Sequence, residues 1–252
     1  MAIYGLFVQT GSIWICLTWF DNPFTDIVIS GKHFFAESIK KPDSDKIFSK
    51  NESEIVRKLA HEDGFFKMDT RALAIEFDFE NALRVGELCG LKWKDIVQEG
   101  EFIKIQRQIV EDQDENGKSA GHRVEYPKSQ AGYRLIKLSS NAKAILAKTK
   151  DANHKKGYPT GPDDYIFYRR YKGKITFCTQ RSFYNKLAKY CKLSGMRIVK
   201  SMHDIRRTVI TRMYHNITSS KDPDLNLKNF RYLPDIQLFS KQWIMLRQIK
   251  TI

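Results

Sequence analysis

Between residues 69 and 138 the apolar residues change period, and this change restricts the fold more than any other feature of the sequence. Over 69–80 and 84–92, positions such as Leu73, Phe77, Leu88 and Leu91 recur at the spacing of one helix face. Phe102-Ile103-Lys104-Ile105 and Arg134-Leu135-Ile136-Lys137-Leu138 then read as two strands, separated by a polar stretch with turn signals at Asn116-Gly117 and Ala131-Gly132. Helical signals return at 141–148 and 182–192, with Tyr165-Ile166-Phe167-Tyr168 as a short buried run between them. A last helix starts near Ser201. The pattern predicts an α+β fold, mostly helical, with a small antiparallel sheet on one side.

The beginning of that domain is also marked. Asn22-Pro23 and Lys41-Pro42-Asp43-Ser44-Asp45 favour turns and extended backbone, so residues 21–49 read as a linker. Ser49-Lys50-Asn51-Glu52 then has capping-box spacing, followed by Ile55, Val56 and Leu59 at helical spacing. Upstream, the apolar run from Ile13 to Phe20 is too short to span a bilayer and lacks a basic flank or cleavage site. It is read as neither anchor nor signal peptide, and no membrane partner is expected.

Charge points to the partner. The 252 residues carry a formal charge of +14, unevenly placed: residues 1–100 hold 12 Lys and Arg against 16 Asp and Glu, residues 101–252 hold 31 against 13. Clustered cations gain free energy by displacing the counterions condensed on phosphates, so a nucleic acid bound mainly by the second part is the favoured partner. A solvated basic face is the plainer alternative. Cys16, Cys89, Cys178 and Cys191 show no metal-ligand spacing, which fits a reduced, cytoplasmic compartment and no metal.

Two motifs carry chemistry. His203-Asp204-Ile205-Arg206 sets an imidazole and a guanidinium three residues apart, where both can reach one phosphate from one helix face. Its four-residue pattern is common by chance, and a surface His and Arg one turn apart is the bland reading. Leu83-Arg84-Val85-Gly86-Glu87-Leu88, followed by Leu91-Lys92-Trp93-Lys94-Asp95-Ile96, is far more specific. Here the chain resembles the catalytic domain of tyrosine recombinases of the phage-integrase kind, in which an LRxGEL segment, an LxWxDI segment, a strand, a hairpin and an HxxR helix follow in this order. Tyr126-Pro127-Lys128-Ser129, ahead of the 134–138 strand, is similar to the setting of the family's hairpin lysine. Lys128 is the choice, with Lys118 and Lys137 as the residues that could be mistaken for it.

The resemblance covers residues 47–233. It implies residues 1–46 as a remnant of the preceding core-binding domain plus linker, with Asn22-Pro23-Phe24 similar to the segment that closes that domain. It also implies site-specific breakage and rejoining of double-stranded DNA through a 3′-phosphotyrosine, with no metal or nucleotide cofactor and with tetramers in relatives. Arg84 and Arg206 would stabilise charge on the non-bridging phosphate oxygens, Lys128 would protonate the departing 5′ oxygen, and His203 would act as base or orient the nucleophile. Glu87 would fix the arginines by a hydrogen bond, its bland reading being a solvated helix residue.

The pattern breaks after the HxxR helix. Relatives carry a Gly-His pair and then the nucleophilic tyrosine, whereas here no tyrosine follows Tyr232. Read one nucleotide earlier, the codons of residues 234–246 are compatible with G-H-S-T-V-x-x-T-M-D-Y-V, so the atypical tail 234–252 is expected to be the product of a slipped reading frame. The nucleophile is then unassigned, Tyr232 being a weak substitute and Tyr214 falling too early, on the HxxR helix itself. The alternative to a recombinase is a non-catalytic DNA-binding protein that occupies recombination sites. An RNA-binding module is disfavoured by the lack of an RNP-type aromatic stretch, a GXXG clamp or a zinc knuckle.

Overall fold

The computed structural model describes residues 6–10, 13–17, 46–115, 119–127 and 132–218. The chain divides into two units, Met1–Lys41 and Pro42–Ile252. In the first, β1 (Leu6–Thr10) and β2 (Ile13–Leu17) pair antiparallel with Thr10 opposite Ile13. Part of the expected linker, residues 21–45, lies outside the described residues, as do residues 219–252, which include the atypical tail 234–252.

The second unit opens with α1 (Lys50–His61), and the capping box predicted for it is formed. The Ser49 Oγ accepts the Glu52 amide at 3.2 Å, and the Ser49 amide donates to Glu52 Oε2 at 2.7 Å. A π-turn (Glu62–Phe66) leads into α2 (Thr70–Asn81), whose Ala72, Leu73, Ala74, Ile75 and Phe77 are all fully buried. A helix this apolar on every side is stable only when covered all round. The turn before it is locked by charge: the Lys186 ammonium lies 2.5 Å from Asp63 and 2.9 Å from Asp69, and the Tyr190 hydroxyl donates to Asp63 at 2.9 Å. Burial pushes the Asp63 carboxyl up, but Lys186, Lys67 and Tyr190 more than reverse this and hold it well below the usual range.

A short helix α3 (Val85–Gly90) and a 3-10 turn (Trp93–Asp95) precede a three-stranded antiparallel sheet of β3 (Ile96–Val97), β4 (Phe102–Ile105) and β7 (Arg134–Lys137). Ile103 faces Ile136 and Ile105 faces Arg134 across β4 and β7. Between them β5 (Gln108–Gln113) and β6 (Ser119–Glu125) form a separate hairpin. After α4 (Ser140–Lys155), a second hairpin of β8 (Tyr168–Tyr171) and β9 (Lys174–Phe177) leads to α5 (Gln180–Leu193) and α6 (Met202–Thr218). Helices α1, α4, α5 and α6 all pack on α2 or on one another around it. The Phe48 amide donates to Thr208 Oγ1 at 2.7 Å, tying α6 to the start of the domain.

The predicted α+β class is what is observed. The two strands of the sheet, the cap of α1 and the late helices stand where the periodicity put them, and α3 is shorter than the 84–92 segment read as helical. The stretch between the two strands differs more. By its own residues it reads as polar and turn-rich, with a hairpin implied only by the family resemblance, and it holds the β5–β6 hairpin. Its backbone is fastened to α3 where side chains are absent: a Cβ on Gly86 would lie 3.0 Å from the Ile109 carbonyl oxygen, and one on Gly90 would lie 3.2 Å from that of Arg107. Gln180 adds a hydrogen bond to the Ile109 carbonyl at 2.8 Å, and Arg107 is buried against Asp95 at 2.5 Å.

Candidate functional site

Arg84 stands at the N-cap of α3 in extended backbone, with its side chain about half exposed. Its amide donates to Glu87 Oε2 at 2.9 Å and its guanidinium to Glu87 Oε1 at 3.1 Å. Glu87 is buried, and its second partner is Arg134 on β7, which grips both carboxylate oxygens at 2.9 and 2.6 Å. Burial pushes the Glu87 carboxyl up, but Arg134 and then Arg84 outweigh it and hold it below the ordinary value. It is therefore an ionised carboxylate at neutral pH, joining an inward guanidinium to an outward one.

His203 lies on the first turn of α6, exposed, while Arg206 one turn later is buried. The Arg206 guanidinium donates to the Ala82 carbonyl, two residues before Arg84. The α6 helix thus brings Arg206 against the α2–α3 connection and leaves the imidazole at its rim. Partial desolvation against the protein surface, followed by the positive charges of Arg207, Arg206 and Arg84, lowers the His203 pKa against the opposing pull of Asp204. A neutral imidazole at pH 7 can accept a proton. An NMR titration is expected to place the His203 midpoint below 6.5, and Arg84→Gln to move it upward by removing one repelling charge.

Arg84, Glu87, His203 and Arg206 are therefore brought to one region by α3 and α6. Lys128 and Tyr232 lie outside the described residues. Tyr214 is on α6 with Arg206, as the sequence implied. Sequence reasoning missed Arg134 as the partner of Glu87; its signal was an arginine at a strand position paired opposite buried Ile105. Among the described residues no cluster of three His, Cys, Asp or Glu could hold a metal ion, and no helix is long and apolar enough to cross a membrane.

This arrangement can be set beside known proteins. The sequence model of the phage integrase family matches residues 48–222. Among solved structures, the Tn1549 transposon integrase in complex with circular intermediate DNA is similar over 83% of this chain and 68% of that one, with 19% identity and a TM-score of 0.60. The same integrase in complex with transposon right end DNA gives 83%, 67%, 19% and 0.58. At that identity the likeness speaks for the fold. No curated protein matches the chain. A mostly helical domain with small antiparallel sheets is the tyrosine-recombinase catalytic fold. With the family match spanning well over half of its length, the chain belongs to the phage integrase family of tyrosine recombinases.

Proposed function

We propose that this chain acts on double-stranded DNA in site-specific recombination, with Arg84, Arg206, His203 and Lys128 as the phosphate-handling residues and Glu87 as the residue that holds the arginines. The observation that carries the reading is the meeting of Arg84, Glu87 and Arg134 beside the Arg206 and His203 turn, within a family match that spans both motifs. The Tn1549 integrase structures, each in complex with DNA, support a DNA partner. Strand breakage would be attack of a tyrosine oxygen on phosphorus with departure of the 5′ oxygen, protonated by Lys128. Rejoining is the reverse, and the bond energy is kept in the 3′-phosphotyrosine. Two guanidiniums stabilise charge on the non-bridging oxygens more in the transition state than before it.

Residues 1–46 are assigned to part of a core-binding domain and its linker, 47–233 to the catalytic domain and 234–252 to a tail from a slipped frame. Action on a mobile element in the cytoplasm and assembly as a homo-oligomer belong to the same proposal. The competing reading is occupancy of recombination sites without cleavage, favoured by the lack of any tyrosine between Leu233 and Ile252.

Duplex binding is expected to weaken by roughly 10³-fold or more between low and moderate salt if six or more phosphates are contacted. A denaturing gel of the full chain with a nicked, labelled duplex separates the readings. A covalent band supports strand breakage and lets the attached tyrosine, Tyr232 or another, be mapped. Salt-sensitive binding with no band supports occupancy alone, and no duplex binding refutes both.

A further inference from the structure

Asp78 is an acid inside an apolar helix. It lies between Phe77 and Phe79, one turn before the end of α2, and is fully buried. Its Oδ1 accepts the Leu83 amide at 2.7 Å, and its own carbonyl accepts the Ala82 amide at 2.9 Å. From the opposite side the Arg206 guanidinium donates to the Ala82 carbonyl. The Ala82 carbonyl and the Leu83 amide belong to one peptide group. That single plane is therefore clamped at both ends, by Asp78 on α2 and by Arg206 on α6, immediately before Arg84.

The plane needs a clamp. Ala82 has φ 51° and ψ 48°, a left-handed conformation that residues with a β-carbon hold only when their surroundings fix it. The second oxygen of Asp78 is buried without a hydrogen-bond partner, a cost that an apolar residue at this position would avoid. Burial pushes the Asp78 carboxyl up to about 8, so the group works at neutral pH mainly as a neutral acceptor.

We propose that Asp78 is a positioning residue: by holding the Ala82–Leu83 peptide plane against Arg206, it fixes the direction in which Arg84 leaves α2 and the seat of Arg206 beside it. This rests on the reading of Arg84 and Arg206 as phosphate-binding residues. Without the Asp78 acceptor the plane is free to rotate, both clamping bonds go together, and the two guanidiniums no longer converge.

The test is the salt dependence of binding to a short random-sequence duplex by the full chain, because each lost phosphate contact lowers the slope of log K against log salt by about one. Asp78→Ala is expected to lower the slope by about one to two while circular dichroism shows a folded chain. Asp78→Asn, which keeps the acceptor, is expected to retain the slope of the unaltered protein. An unchanged slope in folded Asp78→Ala overturns the proposal. Should that variant not fold, Asp78→Ser replaces it, its hydroxyl being too short to reach the Leu83 amide. Loss of the fold in both gives Asp78 a structural role and likewise overturns the proposal. Arg84→Gln serves as the reference: if it leaves the slope unchanged, it is the DNA-binding reading that fails.

Discussion

Replacing Glu87 with leucine is expected to destabilise the folded domain by about 3–5 kcal/mol, because it leaves a buried guanidinium without its counter-ion. The Arg134 side chain is only 3% exposed, and both of its bonds to Glu87 are lost together. For a domain of this size the melting temperature falls on the order of 10 °C. Arg134→Met leaves Glu87, a buried carboxylate, with only the amide and the half-exposed guanidinium of Arg84 as partners, and is expected to cost somewhat less. Glu87→Leu combined with Arg134→Met removes both charges and is expected to recover most of the loss, since a well-packed apolar pair can match a buried ion pair. Thermal unfolding of the four proteins measures the coupling, and costs that simply add in the double variant would sink the account. Arg84→Ala, by contrast, breaks a half-exposed contact and is worth at most about 1 kcal/mol to stability.

The contribution of Asp78 to the stability of the domain is expected to fall as pH rises from about 4 to about 8, by up to about 1.4 kcal/mol per pH unit. The sign follows from the raised carboxyl. Burial first, and Glu87 last, favour the protonated form, while the Leu83 amide and Arg206 oppose them. The folded chain keeps a proton that the unfolded chain has released, so the contribution is full below the unfolded pKa of 3.8 and is lost as pH passes through about 8. Asp63 and Glu87 work in the other direction at and below the ordinary carboxylate range, and His203, its pKa lowered, opposes Asp78 through the imidazole range, so the Asp78 share is the difference between the unaltered chain and Asp78→Asn. Denaturant unfolding at pH 5, 6, 7 and 8 checks this. Asp78→Asn, which cannot ionise, is expected to flatten the dependence, and an identical slope in that variant would refute it.

The sequence made legible what depends on neighbours in the chain. The Ser49–Glu52 box, the period of α2 and the alternation of β4 are local patterns with local causes, and the spacing of His203 and Arg206 placed both on one helix. What was illegible depends on contacts between distant residues. The β5 strand reads as polar because its stability comes from pairing with β6 and from the close approach of two glycines on α3. The β8–β9 hairpin was hidden for a related reason: four of its residues, Arg169, Arg170, Lys172 and Lys174, are basic. At the site, Arg84 and Glu87 were named from a motif. Arg134 and Asp78 were not, because each acts through a residue far from it in sequence or through a backbone group that no side-chain pattern records.

The Glu87–Arg134 contact spans 47 residues and the Ala82–Arg206 contact spans 124. Contacts that close such long loops cost more chain entropy than local ones and slow folding. A chain leaving the ribosome therefore exposes Arg84 well before β7 and α6 exist to hold it. The contacts that hold Arg84 and Arg206 close only once those elements have been made, so partly made chains carry the charges of this region without its arrangement.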